Sequence, residues 1–335
     1  MNIVFHTQNT ELIENVNTFI TEWNSPLNYF EVKTSGSTGA PKTIRILKEH
    51  AKASATATCR FLGLKPDDKA FLCLSTDTIG GKMMIVRSIV NNMELHVVEP
   101  SSNPKKGLEH HFDLIAMVPY QLKETLSNSN PEFCSRIKII VGGGPISADL
   151  ENEIIKSNAQ VYHTFGMTET ISHIALRNIS QGERVFRALP GVTFSEVNEQ
   201  LVIDAPEIGV KKMRTNDSVK LIDNQTFEWK GRTDFVINSG GIKIHPELIE
   251  SILSKRIDVP FFVHGIHDEN LGEKLILCIE SDKYQLSKSD LVALLPKYHT
   301  PKEIYFFEKF LRTKSGKIMR AGTMKQTPLD EKSLL

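Results

Sequence analysis

The sequence predicts an α/β protein: a larger N-terminal α/β domain with sheets and a small β unit, followed by a small α+β C-terminal domain. Two short β-branched runs, residues 114–118 and 137–141, alternate with helical stretches, as in parallel sheets with crossover helices. Over residues 184–227, short alternating segments are separated by proline, glycine and asparagine, which is typical of antiparallel strands. Composition shifts beyond that point, so we assign residues 1–233 and 234–335 to two domains.

Hydrophobic periodicity predicts the other elements. Before the two β-branched runs we expect a short strand, helices at residues 11–23 and 48–62, a buried strand at 70–75, and a buried helix carrying KMMIVRSIV. After residue 234 we expect a helix to residue 255, strands at 261–266, 274–280 and 303–307, and a helix at 288–295.

Composition excludes several function classes. The 335 residues are 40% hydrophobic and 24% charged, with 40 basic and 40 acidic side chains, so the chain has no charge excess for nucleic acid or an anionic membrane. The polar, acidic start predicts neither a signal peptide nor a membrane span. Four cysteines without a CxxC pair indicate reduced thiols in a cytoplasmic protein.

The segment TSGSTGAPK, residues 34–42, combines glycines, hydroxyl side chains, a proline and a lysine. Glycines let the backbone approach a bulky anion, and successive backbone N–H groups can bind that anion. The segment therefore predicts a phosphate-binding loop formed by Thr34, Ser35, Gly36, Ser37, Thr38, Gly39 and Lys42.

This segment has two other interpretations. A Walker P-loop nearly fits residues 36–43, but Pro41 replaces the glycine before the lysine and has no N–H to donate. Residues 43–46 also alternate polar and apolar like a half-buried strand, whereas a Walker loop runs into a helix. A plain glycine- and serine-rich turn is the second interpretation.

Two further loops follow predicted strands, where ligands bind in open α/β sheets. The first is Gly142 to Pro145, and the second is FGMTET, which begins at Phe165. Bare glycine backbone beside an aromatic ring predicts a slot for a flat base, although a tight turn next to a core phenylalanine explains the same residues. Glu169, beside Thr168, is a natural oxygen ligand for magnesium.

The predicted buried helix carries two cations, Lys82 and Arg87. A structural salt bridge is the ordinary explanation for a buried arginine, because burial without a partner is costly. A carboxylate of a ligand is the alternative partner.

Five motifs occur in order: TSGSTGAPK, FGMTE, RTND, GRTDFVINSGG and TKSGKIMR. Together they resemble the adenylate-forming acyl-CoA synthetase superfamily over nearly all of the chain from residue 34 onward. The resemblance implies an enzyme that uses ATP, Mg²⁺ and coenzyme A to turn a small-molecule carboxylic acid into an acyl-adenylate and then a thioester. It also implies that the C-terminal domain rotates about a hinge at Asp234, and it is compatible with a homodimer.

The resemblance implies a role for each motif. The first loop would hold the ATP phosphates, and Lys317 would reach the reacting carboxylate during adenylate formation. The nucleotide would be bound further by Gly143, Gly144, Pro145, Phe165 and Gly166 at adenine, by Asp217 and Arg232 at ribose, and by Thr168 and Glu169 at phosphate and magnesium. The thiol channel would be lined by Gly240 and Gly241.

The acid is indicated by GGKMMIVR and SHIALR, which resemble the o-succinylbenzoate–CoA ligases of menaquinone biosynthesis. Their substrate has two carboxylates, so activation of one leaves the other to be neutralised, by Arg87 with help from Lys82 and Ser172. The chain is short for the superfamily, and we expect it to lack much of the region preceding the phosphate loop. It also departs from the usual pattern at Phe165 and at Asn216 and Asn238.

Three alternative functions stay in view. Another aryl- or acyl-CoA synthetase would share all five motifs. A domain that loads an amino acid onto a carrier protein should offer a carboxylate to the substrate ammonium, and the GGKMMIVR helix segment itself contains none. A non-catalytic nucleotide- or acyl-binding module would be favoured by loss of Lys317 or Glu169, and both residues are present.

Overall fold

A computed structural model describes residues 1–33, 43–104, 111–128, 137–282, 284–313 and 318–334. The phosphate-loop residues 34–42, and Lys317, lie outside these ranges, so their predicted roles stay predictions. The α-helices are α1 (Thr10–Asn24), α2 (Lys48–Leu62), α3 (Ile79–Val90), α4 (Pro119–Asn128), α5 (Ala148–Lys156), α6 (Pro246–Leu253), α7 (Lys288–Leu294) and α8 (Arg320–Thr323).

The strands, in chain order, are β1 (Ile3–Phe5), β2 (Tyr29–Lys33), β3 (Thr43–Leu47), β4 (Lys69–Leu72), β5 (Glu94–Val97), β6 (Leu114–Met117), β7 (Lys138–Val141), β8 (Gln160–Gly166), β9 (His173–Asn178), β10 (Phe186–Ala188), β11 (Thr193–Val197), β12 (Gln200–Ala205), β13 (Val210–Asp223), β14 (Thr226–Arg232), β15 (Ile237–Ser239), β16 (Ile242–Ile244), β17 (Phe261–Asp268), β18 (Gly272–Glu280), β19 (Glu303–Phe307) and β20 (Asp330–Ser333). The predicted α/β fold is confirmed.

Helix ends follow local capping chemistry. The side chains of Asn9, Thr78 and Ser147 each accept a hydrogen bond from a backbone N–H in the first turn of α1, α3 and α5. Ser287 forms a capping box with Asp290 at the start of α7. These short polar side chains supply partners for N–H groups that the helices cannot bond internally.

One large sheet spans the N-terminal region, with strand order β1-β5-β4-β6-β7-β8-β9-β10-β14-β13-β12-β11. The first six strands in this order, β1, β5, β4, β6, β7 and β8, pair in parallel. Side chains alternate between its faces: Leu114 and Ala116 pack in a core with helices α1, α2 and α3, whereas Ile115 and Met117 pack in a second core with α4 and α5. The sheet is therefore covered by helices on both sides.

The antiparallel strands expected between residues 184 and 227 are present, and they continue the large sheet instead of forming a separate unit. The junction is β8, whose residues 160–163 pair in parallel with β7 and whose residues 162–166 pair antiparallel with β9. Because β8 satisfies both neighbours, the hydrogen-bond ladder runs without a break from the parallel to the antiparallel half.

A separate two-stranded sheet pairs β2 with β3 in antiparallel fashion, from Tyr29↔Leu47 to Lys33↔Thr43. The phosphate-loop segment connects these two strands. The prediction of a strand directly after this segment is confirmed, so the segment does not run into a helix as a Walker loop does.

The C-terminal region forms a second sheet from β15 to β20, in which β18 pairs with β15, β17 and β19. Its own core contains apolar side chains of α6 and α7, including Ile249, Leu253 and Leu291. The last strand of the large sheet ends at Arg232, and the second sheet starts at Ile237. The domain boundary at residues 233 and 234 stays a prediction that suits this change of sheet.

None of the helices in the described ranges is long and apolar enough to cross a membrane. Cys59, Cys73 and Cys278 are buried, free thiols.

A substitution at Gly81, in the first turn of α3, tests the close packing of this region. A Cβ at Gly81 would lie 2.2 Å from the Ser75 carbonyl oxygen, so we expect Gly81→Ala to lower the free energy of unfolding by about 2–3 kcal/mol. A Cβ at the neighbouring Gly80 would meet the flexible Leu74 Cδ1 at 3.3 Å and Thr78 Oγ1 at an ordinary contact distance of 3.8 Å. Gly80→Ala is the matched control, with an expected change within about 0.5 kcal/mol. Equal effects in urea unfolding would contradict this packing.

The buried thiols should be chemically silent in the folded protein. Burial raises the pKa of Cys59 to about 11 and the pKa of Cys73 to about 12, so both remain thiols near neutral pH. Since only the thiolate is strongly nucleophilic, we expect no alkylation of either by iodoacetamide at about pH 8, and full alkylation in urea. Peptide mass spectrometry measures both; rapid modification of folded Cys59 would contradict its burial.

Candidate active site

The loops after β7 and β8 meet at the carboxyl edge of the parallel strands. Gly143 and Gly144 follow β7, and β8 ends at Gly166. His163 on β8 makes a hydrogen bond with the Gly144 backbone, but burial lowers the pKa of His163 to about 3, so its imidazole is neutral. The structure thus links the predicted adenine loop to β8 through a histidine that sequence reasoning did not single out.

Phe165 lies near the end of β8 and is half-buried. Its ring meets Phe227 edge-on, with centroids 5.0 Å apart, and packs at 5.6 Å against Phe186. These contacts fix the plane of the ring and leave part of it accessible, which suits stacking on a base as well as packing.

The segment from Met167 to Ser172 is held in one conformation. The Thr170 hydroxyl accepts from the Met167 N–H at 2.9 Å and contacts the Ser172 carbonyl at 2.8 Å. Ile171 has φ +67° and ψ −43°, and the Ser172 N–H donates to the Thr170 carbonyl at 2.7 Å. This is a γ-turn with a strained, β-branched centre, of a kind that concentrates at functional sites.

The same segment places the residues predicted at the phosphates. Thr168 and Glu169 lie in a 3₁₀ turn, and Glu169 is exposed. A close approach explains Gly166: a Cβ there would lie 2.2 Å from the Ser172 carbonyl oxygen. A magnesium ion at Glu169 would take its other oxygen ligands from phosphate and water, because no group of three or more metal-binding side chains occurs in the part of the chain that is described.

Asp217 and Arg232, predicted at the ribose, are directly paired across β13 and β14. The Trp229 indole N–H donates to Asp217 Oδ1 at 3.0 Å, and Arg232 Nη1 lies 3.9 Å from Oδ2. Arg232 Nη2 also donates to Asp234 at 2.7 Å. Arg232 therefore joins the predicted hinge residue to the predicted ribose site, and sequence reasoning missed Trp229, which contacts Asp217.

Arg87 is 1% exposed, on the face of α3 that packs in the core. Its Nη2 donates to Ser172 Oγ at 2.9 Å, and its Nη1 lies 3.8 Å from Met84 Sδ. Nε has no hydrogen-bond partner, and no carboxylate pairs with Arg87 anywhere in the described ranges. Burial lowers the pKa of Arg87 to about 10, which leaves the guanidinium charged at neutral pH.

Lys82 occupies a different place on α3. Its Nζ lies 3.9 Å from Glu22 Oε2 and 4.2 Å from the centre of the Phe19 ring, both on α1. Burial lowers the pKa of Lys82, and Glu22 opposes that shift. The structure brings Arg87 and Ser172 into contact, whereas Lys82 contacts α1, and the roles of all three at the acid stay predictions.

Gly240 and Gly241 form the turn between β15 and β16, both with positive φ, at +56° and +80°. The Gly240 N–H donates to the Leu271 carbonyl at 2.8 Å. Their predicted place along the thiol's channel stays a prediction.

Comparisons with known proteins agree on the kind of protein. A family model described as AMP-binding enzyme matches residues 31–225. Among curated relatives, 2-succinylbenzoate–CoA ligase of Bacillus cytotoxicus is 25% identical over 86% of this chain and 68% of its own length. The enzyme of the same name from Oceanobacillus iheyensis is 26% identical, covering 86% of this chain and 67% of that protein.

Solved structures share the fold. An acyl-CoA synthetase (AMP-forming)/AMP-acid ligase II-like protein from Dyadobacter fermentans is 34% identical, covers 95% of each chain and superposes with a TM-score of 0.65. The o-succinylbenzoate CoA synthetase of Bacillus subtilis, solved with an acyl-adenylate intermediate, is 22% identical with a TM-score of 0.76, covering 91% of this chain and 70% of that one. Since the family model spans more than half of the 335 residues, the chain belongs to the AMP-binding enzyme family.

Proposed function

We propose that this protein is an ATP-dependent acid–thiol ligase that converts o-succinylbenzoate into its coenzyme A thioester. The observation that carries the choice of acid is Arg87, a buried cation that lacks a carboxylate partner among the described residues. Relatives named 2-succinylbenzoate–CoA ligase, at 25% and 26% identity, support the same assignment.

The chemistry proceeds in two displacements. One carboxylate oxygen of the acid attacks the α-phosphate of ATP, the bond to the β-phosphate breaks, and pyrophosphate leaves. The sulfur of coenzyme A then attacks the acyl carbon, the bond to the AMP oxygen breaks, and AMP leaves. The first step is needed because a carboxylate is a poor electrophile at neutral pH.

The nucleotide is bound by residues at the carboxyl edge of the large sheet. Asp217 accepts hydrogen bonds from the ribose hydroxyls, while the Trp229 indole holds one of its oxygens in place. The glycine loop at Gly143 and Gly144 and the ring of Phe165 hold the adenine from two sides. Glu169 would hold magnesium, which would neutralise phosphate charge.

Arg87 is the proposed binding partner of a second carboxylate on the acid. An arginine with an unused, desolvated N–H donor binds a carboxylate by a charge-assisted hydrogen bond, and the low local dielectric strengthens the attraction. Ser172 is already bonded to Arg87 and offers a hydroxyl at the same place. A monocarboxylic acid leaves the buried charge unsatisfied, so the site selects against it.

The alternative of a carrier-loading amino-acid domain is less well supported. An ammonium substituent on the substrate requires a carboxylate, whereas the contacts of Arg87 are a hydroxyl and a thioether in the chain as described. The homodimer and the cytoplasmic location stay predictions.

Pyrophosphate release with a panel of acids tests the proposed function. We expect turnover with o-succinylbenzoate, thioester formation only when coenzyme A is added, and little turnover with benzoate or an amino acid. Faster turnover with a monocarboxylic acid would overturn the substrate assignment, and the absence of pyrophosphate release with every acid would overturn the class.

Replacement of Arg87 separates a substrate-binding role from a structural one. Arg87→Met keeps most of the side-chain volume and removes the charge, so we expect the KM for o-succinylbenzoate to rise about 100-fold, equivalent to ~2.7 kcal/mol, with an unchanged KM for ATP. Thermal stability should not fall, since loss of one partner of a buried ion pair costs about 3–5 kcal/mol and no such pair is broken here. The control is Arg60→Ala, on the exposed side of α2.

A lower melting temperature of Arg87→Met together with an unchanged KM for o-succinylbenzoate would identify Arg87 as a structural residue.

Lys317 is predicted to act in adenylate formation alone. We expect Lys317→Ala to reduce ATP–pyrophosphate exchange by about 100-fold or more, because one cation stabilises the charge that develops between carboxylate and α-phosphate. Thioester formation from chemically prepared acyl-adenylate should change less than fivefold. Equal losses in both half-reactions would contradict this division of roles.

A further inference from the structure

A series of hydrogen bonds, here called the relay, runs from Arg87 through Ser172, His173 and Thr58 to helix α2. Arg87 Nη2 lies 2.9 Å from Ser172 Oγ, which lies 3.4 Å from His173 Nδ1. On the other side of the imidazole, His173 Nε2 lies 3.0 Å from Thr58 Oγ1, and the Thr58 hydroxyl donates to the Ser54 carbonyl at 3.1 Å. Thr58 and His173, which are 115 positions apart in sequence, thereby come into contact.

Only one proton arrangement makes all four hydrogen bonds of this relay at the same time. In this arrangement Thr58 donates its single hydroxyl hydrogen to the Ser54 carbonyl, so His173 carries its proton on Nε2 and donates it to Thr58. Nδ1 is then the acceptor for the Ser172 hydroxyl, and Ser172 Oγ accepts from Arg87, which can only donate. Burial and the charge of Arg87 hold the pKa of His173 well below its ordinary value, in agreement with a neutral ring.

Both ends of the relay are held in place by buried or backbone groups. Thr58 is 0% and His173 6% exposed, and the terminal acceptor is backbone within α2. Ser172 follows the γ-turn centred on Ile171, which fixes the direction of the serine side chain. The cavity on the far side of His173, lined also by Ser54 and Glu207, has about 20 Å³, which is too small for any carboxylic acid substrate.

We infer that Thr58 and His173 are positioning residues for the acid: they orient the Ser172 hydroxyl, which engages Arg87 Nη2 and leaves the Nε–H of Arg87 to the substrate's second carboxylate. The inference rests on the proposed function and assigns specificity to two residues that need not touch the substrate. Without the relay, the Ser172 hydroxyl loses its acceptor, and the guanidinium can turn away from the bound orientation.

Thr58→Val tests the relay because it replaces the hydroxyl by a methyl group of similar size. We expect the KM for o-succinylbenzoate to rise about fivefold, as for loss of one neutral hydrogen bond, with kcat within about twofold and the KM for ATP unchanged. Thr58→Ser keeps the hydroxyl and should restore the KM. Thr125→Val is the matched control, since Thr125 is equally buried, on α4, and its hydroxyl contacts Met117 Sδ at 4.0 Å.

A double-mutant cycle separates positioning from a general structural effect. In an Arg87→Met background, Thr58→Val should no longer change the KM for o-succinylbenzoate, because the relay acts through the arginine. In NMR spectra of the imidazole nitrogens, wild-type His173 should be neutral with its proton on Nε2, and Thr58→Val should perturb that signal while Thr125→Val does not.

Three results would overturn the inference: an unchanged KM for o-succinylbenzoate in Thr58→Val, an equal rise in the Arg87→Met background, or a His173 proton on Nδ1. Wild-type protein that releases no pyrophosphate with o-succinylbenzoate would instead overturn the proposed function. The two failures are therefore distinguishable.

Discussion

The Arg87 guanidinium is buried and charged, and within the described chain only a hydroxyl and a thioether contact its nitrogens. A desolvated cation of this kind is costly unless an anion compensates it, and no side chain among the described residues supplies that anion. In the proposed function, an acid with a second carboxylate supplies that compensation when it binds. The account of substrate choice depends on this single imbalance.

The fold brings the other groups to the same region through the direction of its strands. Parallel β7 and β8 run in the same direction, so Gly144 and Ser172, in the loops after them, and Phe165, near the end of β8, lie at one edge of the sheet. The antiparallel half continues from β8 and carries Asp217 and Arg232 as cross-strand neighbours. A strained turn at Ile171 is tolerated because hydrogen bonds from Thr170 hold the segment on both sides.

Local patterns predicted the elements well, and long-range pairing only in part. Helix α2 and strand β19 have the predicted bounds, since apolar periodicity and turn residues delimit them. The antiparallel strands were expected as a separate unit, because the local sequence of β8 does not indicate that this strand pairs with a neighbour on both edges. Motifs located Arg87 and Ser172, but Thr58 and His173 are ordinary residues whose partnership exists only after folding. Lys82 lies on the same helix as Arg87, but its side chain contacts Glu22 and Phe19 of α1.

The most direct test of the central claim compares the binding of o-succinylbenzoate with that of its methyl ester at the second carboxylate. Calorimetry with a non-hydrolysable ATP analogue present measures both affinities on wild-type protein. The account predicts that the ester binds about 100-fold more weakly, because a neutral ester does not compensate the buried guanidinium. Equal affinities would contradict it.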